Sequence, residues 1–179
     1  MAKFGLACEG ITDQIVIENI LCGFYKDIDD LDEEIQALQP PFDETTKKQA
    51  DFGNWELLLT YLSDSRFRDD VLNSEYIIIQ IDTDDAQHPN FNVSPTDSKN
   101  IELTITILIE KVIERLVTQI DSKESFYEEN KEKIIFAISI HSLECWLLPL
   151  YKSYSNEKTK NCFDNLQRES KKISVIKNY

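Results

Sequence analysis

Two acids one residue apart, Asp82-Thr83-Asp84, directly follow the run Tyr76-Ile77-Ile78-Ile79-Gln80-Ile81. If the chain stays extended past Ile81, alternate residues face the same way and the two carboxylates lie side by side. Glu9 closes a second apolar run at 3–8, with Asp13 four residues beyond it, and Glu144 follows a third run at 134–140. No lysine or arginine adjoins the acidic run at 82–85. Carboxylates gathered where water is scarce repel one another unless they share protons or a cation neutralises them. Hard oxygen donors of this kind suit Mg²⁺ or Mn²⁺. A pair of such ions can stabilise both the attacking and the leaving oxygen in phosphodiester cleavage. Glu9, Asp13, Asp82, Asp84 and Glu144 are therefore the candidate metal ligands. Each also has a plain structural reading: a polar loop or helix cap for 82–85, a turn for Glu9-Gly10, a surface acid for Glu144. What sets them apart is that all follow apolar runs of strand length.

Those runs must position the acids. The segments at 3–8, 76–81 and 134–140 are nearly continuously apolar, as strands covered on both faces are. Between them lie helical patterns. One follows Gly10, with Thr12 as a candidate cap, Ile15, Val16, Ile20 and Leu21 at helical spacing, and Gly23 near its end. A second follows Asn54. A third runs from Lys99 to about Ile120, where an Ile- and Thr-rich start leaves a strand at 103–109 as the alternative. Strands alternating with helices predict an α/β fold, with a mainly parallel central sheet and helices on both faces. In such sheets sites form beyond the carboxyl ends of the strands. The acidic stretch at 26–52, interrupted by Pro40-Pro41, reads as an insertion or mobile loop.

A length of 179 residues with 41% hydrophobic and 29% charged residues fits one self-supporting domain. We assign it to 1–151, followed by a basic polar tail at 152–179 with weak helical periodicity. No apolar run is long enough to cross a bilayer, and the start reads as no signal peptide, so the expected compartment is cytoplasmic. The cysteines, Cys8, Cys22, Cys145 and Cys162, form no C-x-x-C pair, and reduced, mostly buried thiols are expected. The net charge of −14 excludes a broad basic field for nucleic acid. The tail runs against this trend: seven basic and three acidic residues make it +4 and leave −18 on the remainder. Such a tail could contact a phosphate backbone or an acidic partner, or be a solvated helix face. His141, at the end of a strand, could position a water or a phosphate, or simply cap a turn; His88 lies in the loop after the acids.

The order of motifs resembles the TOPRIM domain. There a strand ends in a glutamate, as in Cys8-Glu9-Gly10-Ile11-Thr12-Asp13, and a later strand ends in D-x-D, as in Ile81-Asp82-Thr83-Asp84. The acid at Asp13 is similar to the variant found in overcoming-lysogenisation-defect nucleases and related small phage-defence proteins. The stretch Glu144-Cys145-Trp146-Leu147 is similar to an E-x-W-L segment after their last core strand. The resemblance covers about residues 3–150. It implies a metal-dependent nuclease acting on DNA or RNA with Mg²⁺ or Mn²⁺, as a phage-defence effector and frequently paired with an ATPase. By the same resemblance Glu9, Asp82 and Asp84 are catalytic, and Glu9 is the group that moves a proton. The basic residue such nucleases place near the scissile phosphate is not identifiable in the core, and Lys152, Lys158 and Lys160 of the tail are the candidates. The competing readings are a non-catalytic interaction module with a degenerate site, and phosphoryl transfer on a small substrate.

Overall fold

A computed structural model describes residues 2–41, 54–151 and 161–176. Four strands, β1 (Ala2–Ala7), β2 (Ile35–Gln39), β3 (Ser74–Asp82) and β4 (Ile134–Ser139), form one sheet in the order β2-β1-β3-β4. Every pairing is parallel. The protein is thus an α/β fold with a four-stranded parallel sheet.

Because side chains alternate across a strand, each strand feeds two cores. Ala7, Ile77, Ile79, Ile81, Ile134 and Ile138 join one apolar cluster. It also takes Trp55, Leu58 and Leu62 from α2 (Asn54–Leu62), Phe67 and Val71 from α3 (Ser65–Asn73), and Val112, Leu116 and Ile120 from α4 (Ile105–Ile120). Phe4, Leu6, Cys8 and Ile78 face the other way, against Ile17 of α1 (Ile11–Phe24), Leu31 and Leu143. The remaining helices are α5 (Tyr127–Asn130), α6 (Glu144–Leu147) and α7 (Cys162–Ile176).

Several expectations need correction. The stretch at 26–52 is not merely an insertion. Its middle forms a 3₁₀ turn at Leu31–Glu34 and then edge strand β2. A bulge between Leu6 and Ala7 fits β2 onto β1. Residues 42–53 lie outside the described residues. Thr12 does not cap α1. Gly10 holds that position in extended conformation without a side-chain bond, and Thr12 is inside the helix. The start of α4 is helical rather than a strand, with Thr104 Oγ1 accepting the Ile107 N–H. Cys145 and Cys162 are not free thiols but form a disulfide that ties α6 to α7, while Cys8 is a buried thiol and Cys22 a half-buried one. Spacing alone could not reveal that pairing, because it depends on α7 packing against α6. No helix among the described residues is long and apolar enough to cross a membrane.

Candidate metal centre

The chain leaves β1 to one side for β2 and returns on the other side for β3. The crevice beyond β1 and β3 is therefore the switch point of the sheet, where α/β proteins place ligands. Glu9 stands there just past β1, and Asp82 is the last residue of β3. They are joined directly, since the Asp82 backbone N–H donates to Glu9 Oε2 at 3.2 Å.

Beneath them lies Gln80, which is fully buried. Its Nε2 donates to Asp82 Oδ1 at 2.9 Å, with Ser139 Oγ of β4 at 3.5 Å, and its Oε1 receives the Glu9 N–H at 3.4 Å. One amide thus links the carboxyl ends of β1, β3 and β4. The Leu143 N–H donates to Asp82 Oδ2 at 3.3 Å, so both oxygens of that carboxylate are engaged. Sequence reasoning passed over Gln80 and Ser139. The available signal was a lone polar residue in a β-branched run, two positions from Asp82 and so on its face.

The other acids gather around this pair. Asp13 sits half-buried in the first turn of α1, and Glu144 opens α6. Asp84 is exposed at the mouth, with Oδ1 accepting the Asp85 N–H at 2.9 Å. The ionisation of each group shows their mutual reach. Burial, then the Glu9, Asp13 and Asp84 charges, push the Asp82 carboxyl up to about 8 against the Leu143 N–H. Burial pushes Glu9 up to about 7, opposed by the Asp82 N–H and aided by Asp84, Asp13 and Asp85. Asp13 is raised by burial and by Glu144 and Asp84, and Asp84 by burial and Asp85. Among the described residues no lysine or arginine is among the charges acting on these four groups, and His141 beside Asp84 is the one basic group that is.

Glu9, Asp13, Asp82 and Asp84 thus lie within electrostatic reach of one another, and Glu144 reaches Asp13. Comparisons with protein-family models, curated proteins and solved structures find no match. Among the described residues, no group of three or more His, Cys, Asp or Glu side chains is placed to hold a metal ion as it stands. Mutual repulsion of uncompensated carboxylates favours such spread positions. The donor set nonetheless fits a hard divalent cation, being all carboxylate, with His141 beside Asp84 as the one basic group acting on it among the described residues.

His141 has a left-handed backbone, φ 63°. Its N–H donates to Thr83 Oγ1 at 2.8 Å and its carbonyl accepts the Asp84 N–H, so it pins the loop after β3 to the end of β4. His88 lies elsewhere, packed against Trp55 with ring centroids 5.0 Å apart. Lys152, Lys158 and Lys160 lie outside the described residues.

Proposed function

We propose that the chain is a divalent-metal-dependent nuclease with a TOPRIM-like arrangement, taking Mg²⁺ or Mn²⁺. One observation carries this reading: the acids ending β1 and β3 meet at the switch point of a parallel sheet, bonded to each other and backed by a buried amide. Bound cations would supply Lewis-acid stabilisation of the attacking and leaving oxygens. Asp82 and Asp84 would hold the ions, with Asp13 and Glu144 completing the set. Asp82 is kept in place by Gln80 and the Leu143 N–H, which leaves its orientation independent of the ion. We assign proton transfer to Glu9, which stands at the end of β1 with its carboxylate against the Asp82 backbone N–H. The phosphodiester substrate must approach an acidic body, so its binding depends on the basic tail or on a second protein such as a partner ATPase.

The test is a Mn²⁺ titration by calorimetry combined with cleavage of labelled single- and double-stranded DNA and RNA. Metal-dependent cutting abolished by Asp82→Ala and by Glu9→Gln, in variants that still fold, is the expected result. Unchanged Mn²⁺ affinity in Asp82→Ala would remove the acids from the metal site.

A second reading, an interaction module acting through a partner protein, draws on a different observation. Helix α1 is apolar on its outer side, and Ile15, Ile20 and Phe24 are exposed, Phe24 at 76%. An apolar surface of this kind suits a protein contact. Binding of a partner that persists in Asp82→Ala and is lost in Phe24→Asp would favour it.

A further inference from the structure

A cavity of about 340 Å³ opens beside the carboxylates and shares Thr83 and Asp84 with their crevice. Its walls are mostly apolar. Ile105 and Leu108 come from the start of α4, Leu103 from the preceding loop and Ile140 from the end of β4. Polar groups are confined to a few places, among them Gln87, Thr96 and Glu102. The wall is built, not adventitious. Thr96 and Glu102 form an antiparallel bridge, the Leu103 N–H donates to the Pro95 carbonyl, and Asp97 Oδ1 accepts the Lys99 and Ile101 N–H groups.

Size and charge restrict what can enter. The volume is at the lower end of the range for small-molecule sites, roughly 300–1,000 Å³, which suits a single nucleoside and not a stacked pair. Among the described residues no lysine or arginine lines the cavity, and its ionisable groups are Asp84 and Glu102 against the single imidazole of His141, so a phosphate is disfavoured inside it. A flat neutral ring between apolar walls is favoured, and a carboxylate such as Glu102 accepts from an exocyclic amino group.

We propose that this cavity is a nucleobase subsite. It takes one unpaired, amino-bearing base, cytosine or adenine, so that the phosphodiester attached to it lies on the Asp84 side, over the carboxylates. The inference rests on the phosphodiester reading above and narrows its substrate to single strands, frayed ends or flipped nucleotides, because a base stacked in a duplex cannot enter.

The test uses the full chain and two probes, cytidine monophosphate and uridine monophosphate, with ribose 5-phosphate as the baseless control. Binding is read by saturation-transfer NMR and calorimetry, with and without Mn²⁺. The expected result is binding of the cytidine compound about tenfold tighter than the uridine one, and no binding of the sugar phosphate. Ile105 is 46% exposed, so Ile105→Trp fills the mouth without disturbing the core and should weaken cytidine binding at least about tenfold, leaving Mn²⁺ affinity unchanged. Glu102→Gln should erase the preference for cytidine over uridine. Equal binding of all three probes, or cytidine binding unaffected by Ile105→Trp, overturns the subsite. If Mn²⁺ neither binds nor supports cleavage while cytidine binding is still lost in Ile105→Trp, the subsite stands and the nuclease reading fails. If single strands are cut equally fast with and without a base at the cleaved position, the subsite is overturned and the nuclease reading stands.

Discussion

Replacing Asp82 by asparagine should flatten the dependence of stability on pH in the metal-free protein. In the unfolded chain an aspartate ionises near 3.9. In the native crevice burial and the Glu9 charge push Asp82 up to about 8. Between pH 5 and pH 7 the native state therefore keeps a proton that the unfolded state has lost. Raising the pH then pulls the equilibrium toward the unfolded chain. The contribution is fully present below the unfolded value and is gone once the pH has passed the native one. For a whole proton the slope is about −1.4 kcal/mol per pH unit. Two units would give about 2.7 kcal/mol, and partial access of water to Asp82 reduces the expected loss to about 2 kcal/mol. Glu9, pushed up to about 7, acts in the same direction. It ionises before Asp82, so its part survives in the variant. Asparagine also sets an amide donor against the donor of Gln80 or of Leu143, a cost that lowers the whole curve without changing its slope. The assay is urea unfolding at several pH values from 5 to 8.5 in the presence of a chelator, on the parent and on Asp82→Asn. Subtracting the two curves removes the general repulsion of a chain with net charge −14. Parallel losses of stability in the two proteins would refute the reasoning, since Asp82 would then be ionised in the native state at pH 7.

Mn²⁺ binding should release between about one and two protons at pH 7, measured by calorimetry in buffers of different ionisation enthalpy; binding without proton release would place the ion away from Glu9 and Asp82. Gln80→Leu should weaken Mn²⁺ binding at least about tenfold and cost about 1–3 kcal/mol in urea unfolding, because the Glu9 N–H and Asp82 Oδ1 each lose a buried partner. Gly5→Ala should cost about 1–3 kcal/mol by the same assay, since a Cβ there meets Leu38 Cδ1 at 2.5 Å and Ile77 Cδ1 at 2.6 Å, both side-chain ends that must turn away. Arg68→Met should cost about 2–3 kcal/mol, read as a lower thermal midpoint, because Arg68 donates to the Asp64 carbonyl at 3.1 Å and to the Ile120 carbonyl at the end of α4 at 2.8 Å.

The parts of the fold that could be read in advance are those the interior dictates by composition. β1, β3 and β4 have faces packed against one core or the other, so nearly every residue is apolar and their positions are plain. β2 escaped because it is an edge strand with glutamine at Gln36 and Gln39, inside an acidic stretch whose character comes from its exposed neighbours. α3 escaped too, since only Phe67 and Val71 mark its buried side among charged residues, one of which, Arg68, is itself buried. In the site, the acids could be named because Glu9, Asp82 and Asp84 directly follow apolar runs of strand length. Their supports could not. Gln80 looks like an ordinary interruption of an isoleucine run until β1, β3 and β4 are set side by side.

The crevice draws on residues that are neighbours only in three dimensions. Glu9 and Asp82 are separated by 73 positions, and Leu143, which holds Asp82, lies a further 61 along. A ribosome adding about 5–20 residues per second takes several seconds to pass from the first acid to the last. For most of that interval β4 does not yet exist, and the sheet lacks the strand whose end steadies Asp82. An unfinished or truncated chain therefore carries its acids unassembled, and the cluster comes together only after the last strand has docked.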